Sequence, residues 1–244
     1  MRIPRIYQPI SLSRGQLIEL DGQAAVHLTR VLRLRVGDAL CLFNGQGGEF
    51  TARLVAVGRR TASIEVGAFS SREVESGLQL VLAQGVSRGE RMDYTVQKAV
   101  ELGVSCIVPL ETARTTVNLD GERRAKRLAH WQGVVNAACE QSGRNRVPRV
   151  AAMQGLDEWL ATVGPAGLKL VLHHRADKSL AGLSPPEGPV SLLIGPEGGL
   201  SEAEIDAAID SGFQPLRLGP RVLRTETAAL SALSVLQWLW GDFV

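Results

Sequence analysis

The chain has 244 residues, 45% hydrophobic and 21% charged, an ordinary globular balance with enough apolar material for a sizeable core and one or two domains. No apolar run approaches the ~20 residues that span a bilayer. Met1-Arg2-Ile3-Pro4-Arg5 lacks the apolar stretch of a signal peptide, so a cytoplasmic protein is expected. Net charge is only +2, but residues 1–68 hold nine arginines, no lysine and five acids, and 23 of the 27 cations are arginine. The planar arginine fork suits phosphates and base edges. This asymmetry points to a nucleic-acid-binding N-terminal module, although high arginine can also reflect genomic composition.

Residues 1–70 are β-rich. Residues 16–20 alternate apolar and polar, and residues 39–43 and 48–55 form short strands joined by the hairpin signal Asn44-Gly45. Residues 63–66 give another strand, and one helix interrupts at about residues 21–32. Closely spaced short strands imply a small barrel. The Ser- and Glu-rich stretch 69–77 is the expected linker.

From residue 78 strands and helices alternate. Strands are expected at 78–83, 104–109, 168–173, 190–194 and 215–218, and helices at 90–102, 122–141, 156–163, 201–211 and 225–240. Ser201 and Glu204 have capping-box spacing. Such alternation specifies a parallel sheet covered by helices. Cys41, Cys106 and Cys139 are far apart among apolar or small neighbours, which fits reduced, buried thiols. The four histidines have no metal-ligand spacing, and no metal is expected; His173-His174 is a structural or pocket-lining pair.

Three segments carry candidate chemistry. Ile194-Gly195-Pro196-Glu197-Gly198-Gly199-Leu200 leaves an apolar strand and opens a capped helix, where ligands of parallel sheets bind. Leu218-Gly219-Pro220-Arg221-Val222-Leu223-Arg224-Thr225-Glu226-Thr227 also follows a strand and precedes a helix, with Thr225 placed to cap it and Glu226 suited to its positive end. Two such loops from consecutive units suggest one pocket. Glu140-Gln141-Ser142-Gly143-Arg144-Asn145-Arg146 ends a helix in a basic turn that could grip phosphates or simply be solvated. The glycine patterns match neither a dinucleotide fingerprint nor a P-loop.

Taken together, Ile194-Gly195-Pro196-Glu197-Gly198-Gly199-Leu200 and Leu223-Arg224-Thr225-Glu226-Thr227-Ala228 resemble the C-terminal signature of the SPOUT superfamily of knotted methyltransferases. With Arg2-Ile3-Pro4-Arg5-Ile6-Tyr7, His27-Leu28-Thr29-Arg30-Val31-Leu32-Arg33-Leu34, Gln97-Lys98-Ala99-Val100-Glu101-Leu102-Gly103-Val104 and Glu140-Gln141-Ser142-Gly143-Arg144, the chain is similar over nearly its whole length to the bacterial 16S ribosomal RNA uridine-N3 methyltransferase family. It departs at Ser87-Arg88, where a lysine is expected. The resemblance implies an α/β protein: a PUA-like RNA-binding β-barrel (1–70) and a SPOUT domain (78–244) with a trefoil knot. It implies S-adenosylmethionine as cofactor, a homodimer, and 16S ribosomal RNA within the small ribosomal subunit as substrate.

Carried onto these positions, the cofactor would meet Leu193, Ile194, Gly195, Pro196, Glu197, Gly198, Gly199, Leu216, Leu218, Gly219, Leu223, Thr225 and Thr227. RNA would meet Arg2, Arg5, Arg30, Arg33, Arg88, Arg91, Arg114 and Arg146. A uridine N3 carries a proton at neutral pH, so the enzyme must help remove it or stabilise the anion. Arg224 is the first candidate and Arg144 the second, with Glu140 or Glu226 accepting the proton or orienting an arginine. A ribose 2′-O-methyltransferase of the same superfamily, a non-catalytic RNA-binding factor and a nucleotide-using enzyme are the alternatives.

Overall fold

The computed structural model describes residues 3–117 and 120–243, so Arg2 lies outside the described residues. The chain divides into two units. Unit 1 is Met1–Glu75 with Cys139–Val147, and unit 2 is Ser76–Ala138 with Pro148–Val244.

Unit 1 contains β1 (Arg5–Tyr7), β2 (Leu17–Asp21), α1 (Gly22–Val26), a π-helical turn (His27–Val31), β3 (Ala39–Phe43), β4 (Glu49–Val57) and β5 (Thr61–Ser70). The sheet order is β1-β3-β4-β5-β2. Only β1 pairs in parallel, with β3. Alternation sends Leu40 and Leu42 of β3, Ala52 and Leu54 of β4, and Ala62, Ile64 and Val66 of β5 into one core with Ile18, Leu20 and Leu28. Two register shifts between β4 and β5 bend this pair. The hairpin turn forms where Asn44-Gly45 places it: Asn44 Oδ1 accepts from the Gln46 N–H at 3.1 Å, and Gly45 takes φ +83°. The expected helix at 21–32 is present but widens from α to π at His27. Strand β5 is longer than expected and reaches into the expected linker.

Unit 2 contains β6 (Leu80–Gly85), α2 (Glu90–Glu101), β7 (Val104–Glu111), α3 (Gly121–Ser142), β8 (Arg149–Val150), β9 (Gln154–Gly155), α4 (Leu156–Thr162), β10 (Leu168–Leu172), β11 (Val190–Ile194), α5 (Glu202–Asp210), β12 (Gln214–Leu216) and α6 (Thr225–Trp240). Helix α3 begins in unit 2 and ends in unit 1. The strands pair in parallel in the order β12-β10-β11-β6-β7-β8, with β9 against β7. β11 is buried along its whole length, as its apolar run requires. The Ser201–Glu204 capping box forms in both directions at the start of α5. Chain order runs outward from β6 through β7 to β8, while β10, β11 and β12 all lie on the other side of β6, so the winding direction reverses beside β6 and creates a switch point at the carboxyl edge. Among the described residues no helix is long and apolar enough to cross a membrane.

All three cysteines are free. Cys139 is buried as expected, but Cys41 and Cys106 are only half-buried, although each sits on a strand paired on both sides. Burial pushes the Cys139 thiol up to about 12 and Cys41 to about 11, so neither supplies thiolate near neutral pH.

Candidate active site at the carboxyl edge of the parallel sheet

A cleft of about 480 Å³ opens where the loops after β10, β11 and β12 meet, and all of its lining belongs to unit 2. Ligand clefts commonly have this size and this place in parallel sheets. Its apolar walls are Ile194, Leu216, Leu218 and Leu223.

The loop after β11 closes tightly. A Cβ on Gly195 would lie 2.8 Å from Gly199 C and from Leu200 N, and Gly199 takes φ +70°. Only glycine permits this path. The Gly195 carbonyl accepts from Thr225 Oγ1 at 2.6 Å and from Gln84 Nε2 at 3.3 Å. Gln84 is fully buried in β6 and also donates to Thr225 Oγ1 at 2.9 Å. Thr225 therefore does not cap α6. Arg224 stands at the cap position with no side-chain capping bond, and the Thr225 hydroxyl turns inward to satisfy a buried carbonyl at the strand end.

The loop after β12 is built differently. Among the described residues, the N–H groups of Leu218, Gly219, Arg221, Val222 and Leu223 have no hydrogen-bond partner. These five residues line the partly apolar cleft. Glu226, in the first turn of α6, lines the cleft with a buried Oε2 that has no partner. Arg224 also lines it and is exposed.

Glu197 accepts from the Arg88 backbone N–H at 2.8 Å and from Arg91 Nη1 at 3.2 Å. Burial pushes its carboxyl up, but the Arg88 N–H, its own N–H and the Arg91 guanidinium outweigh this and hold it below the usual range. Arg114 Nη1 donates to Gly198 O at 2.9 Å, and Arg88 Nε to Thr116 Oγ1 at 2.6 Å. Three arginines expected to meet RNA thus brace the loop after β11.

Of the expected cofactor residues, eleven line the cleft. The other two do not: Leu193 is fully buried in the sheet core, and Thr227 is exposed on α6. Arg224 and Glu226 come together in this cleft; Arg144 and Glu140 belong to unit 1. There Arg144, with its side chain 6% exposed, forks onto Glu75, with Nε 3.0 Å from Oε2. Glu140 accepts the Tyr7 N–H at 2.9 Å. Burial raises its carboxyl above the usual range, against the lowering effects of the Tyr7 N–H, His27 and Arg5.

Arg5, expected at the RNA surface, is instead 8% exposed. It pairs with Glu49, donates to Asn145 Oδ1 and to the Arg144 carbonyl, and lies 4.9 Å from the centre of the Phe43 ring. Arg30, Arg33 and Arg146 are exposed. Gln84 and the cationic cleft residues Arg175 and Arg217 lie outside the three segments that carry candidate chemistry. The rule that ligands meet the carboxyl ends of parallel strands, applied to residues 168–173 as well, could have found Arg175.

Comparison with known proteins places this geometry among relatives. Residues 74–237 match the model of an RNA methyltransferase domain, and residues 20–67 that of an RNA methyltransferase PUA domain. Unit 1 is accordingly PUA-like. The chain is 42% identical to a ribosomal RNA small subunit methyltransferase E from Neisseria gonorrhoeae bound to S-adenosyl methionine, with a TM-score of 0.93 and 100% of both chains covered. It is 44% identical to a Legionella pneumophila protein in complex with the bound cofactor SAM, with a TM-score of 0.96 and the same coverage. A ribosomal RNA small subunit methyltransferase E from Buchnera aphidicola (Schizaphis graminum) is 34% identical over 99% of this chain and 98% of the relative.

Proposed function

Because the chain belongs to the RNA methyltransferase family that includes ribosomal RNA small subunit methyltransferase E, we propose that it methylates N3 of a specific uridine in 16S ribosomal RNA, using S-adenosylmethionine. The observation that carries the cofactor reading is the cleft itself. Its apolar walls suit an adenine ring, and the open N–H groups of Leu218, Gly219, Arg221, Val222 and Leu223 suit the ring's acceptor edge. The residues present fit the cofactor, with Ile194, Gly195, Leu216, Leu218 and Leu223 against its base. Bound there, it supplies a methyl group on a sulfonium, which is electrophilic without any metal.

The protein's task is the N3 proton. Arg224 is exposed on the cleft wall and stays charged, so it stabilises negative charge developing on the uracil oxygens. The unpartnered Glu226 Oε2 is the acceptor for the proton, or the group that orients Arg224. Arg144 and Glu140 hold the segment Cys139–Val147 within unit 1. The target base must leave its stack to reach the cleft.

The same reading gives unit 1 an RNA-holding role through exposed Arg30, Arg33 and Arg146. It places the domains at 1–70 and 78–244 and includes the trefoil knot, supported by the Thr225 and Gln84 bonds that hold the start of α6 to Gly195. It includes a cytoplasmic homodimer, for which Trp238, 69% exposed on α6 beside exposed Val235, offers an apolar contact. Purified protein should transfer labelled methyl from S-adenosylmethionine to small ribosomal subunits or 16S ribosomal RNA. Nucleoside mass spectrometry should show N3-methyluridine; a 2′-O-methyl product overturns the base-methylation reading.

A further inference from the structure

The cleft carries more positive charge than its cofactor calls for. Arg91, Arg114, Arg175, Arg217, Arg221 and Arg224 line it against three glutamates, Glu197, Glu202 and Glu226. S-adenosylmethionine is itself a net cation, with a sulfonium and an ammonium against one carboxylate. Three surplus positive charges do nothing to attract it, so the apolar walls and open N–H groups account for the cofactor and the surplus points to a second, anionic ligand.

The arginines are not equivalent. Arg91 and Arg114 are bonded to Glu197 and to the Gly198 carbonyl. Arg217, also in the cleft lining, is exposed and its side chain has no partner among the described residues. Its backbone N–H donates to Lys178 O at 2.9 Å, which sets it beside the turn that follows β10. Lys178 is exposed on that turn and its side chain is also without a partner among the described residues. Arg175, on the same turn, makes only a 3.4 Å pair with Glu202, both side chains about 70% exposed. Such a pair contributes little and opens readily. The turn is fixed by Ala176 N–H to His173 O at 3.1 Å and by His173 N–H to Leu216 O at 2.9 Å. Arg175 and Arg217 of the cleft lining, and Lys178 bonded through its carbonyl to Arg217, are thus exposed cations carried on a backbone that these bonds fix.

We propose that Arg175, Lys178 and Arg217 form an anion-binding lip that takes phosphates of the RNA strand next to the target nucleotide. This inference rests on the reading of the chain as an RNA methyltransferase. An anionic oxygen could also come from the cofactor's carboxylate, so the experiment separates the two sources. The double variant Arg175→Gln with Arg217→Gln is compared with the wild type in three assays: calorimetric binding of S-adenosylmethionine, salt-dependent binding of a 16S ribosomal RNA transcript, and methyl transfer.

The expected result is unchanged cofactor affinity, which also shows that the variant is folded. RNA affinity falls roughly tenfold, and the slope of log affinity against log salt becomes shallower by about 1.5, as expected for two lost phosphate contacts. Weakened cofactor binding with an unchanged RNA salt slope overturns the proposal and gives the lip to the cofactor's carboxylate. No change in either affinity overturns it as well. If the wild type itself transfers no methyl to ribosomal RNA, it is the functional reading that fails.

Discussion

Arg5 and Arg144 in unit 1 and Arg217 and Arg224 in unit 2 are the same side chain in opposite states. The first two are buried to 8% and 6% exposure and matched by Glu49 and Glu75. The second two line a cleft, exposed and without partners among the described residues. A buried guanidinium must keep its partner, since losing one member leaves the other charge desolvated. An exposed one costs the fold little and can meet a ligand. The arginine excess of residues 1–68 therefore does not measure RNA-binding capacity; partners and burial decide which cations remain available.

Four measurements test this contrast. The largest effect is expected for Arg144→Ala, which strands Glu75 and should destabilise unit 1 by about 3–5 kcal/mol. Hydrogen exchange of the β1–β5 amides reports it. If those amides stay protected while methyl transfer vanishes, Arg144 is catalytic and the contrast collapses.

Next, Arg224→Ala should lower turnover by ~10²–10³-fold, with cofactor affinity unchanged. Single-turnover kinetics with small subunits measures it, and full turnover would remove Arg224 from the mechanism.

Thr225→Val should cost about 1–3 kcal/mol, because the Gly195 carbonyl loses its 2.6 Å donor inside the protein. A lower melting temperature with weaker cofactor binding is the expected pair of outcomes.

The smallest effect separates two carboxylates by sign. Burial raises Glu140 above 4.5, so its contribution to stability is full below that value and fades as pH rises through its folded pKa. Glu197 is held below 4.5, so its contribution is present above that value and fades as pH falls through its folded pKa. Glu140→Gln should gain on the wild type as pH rises above 4.5. Glu197→Gln should lose least on acidification. Urea midpoints across pH 3–7 test both directions.

Much of unit 2 was legible because its signals are local. The apolar run of β11, the Ser201–Glu204 box and the bounds of α6 each follow from a few neighbouring residues. The strands β1, β8 and β9 carry no such signal: two or three residues cannot display a period, and each exists only through its partner strand. Capping is a local rule and so singles out Thr225, whereas the Gly195 carbonyl that accepts its hydroxyl lies 30 residues upstream. Arg5 is a similar case. Its acceptors, Glu49 and Asn145, are distant in the chain, and nothing near position 5 announces burial.

The division of α3 between units has a consequence for biosynthesis. Unit 1 is discontinuous: Arg144 and Asn145, which bind Glu75, Arg5 and the Arg72 carbonyl, leave the ribosome only after α2, β7 and most of α3. At ~5–20 residues per second, the N-terminal sheet waits several seconds with those groups unmatched. A fragment ending at residue 70 never receives Asn145, the acceptor of the buried Arg5 guanidinium, so it should be less stable than the same sheet in the full chain.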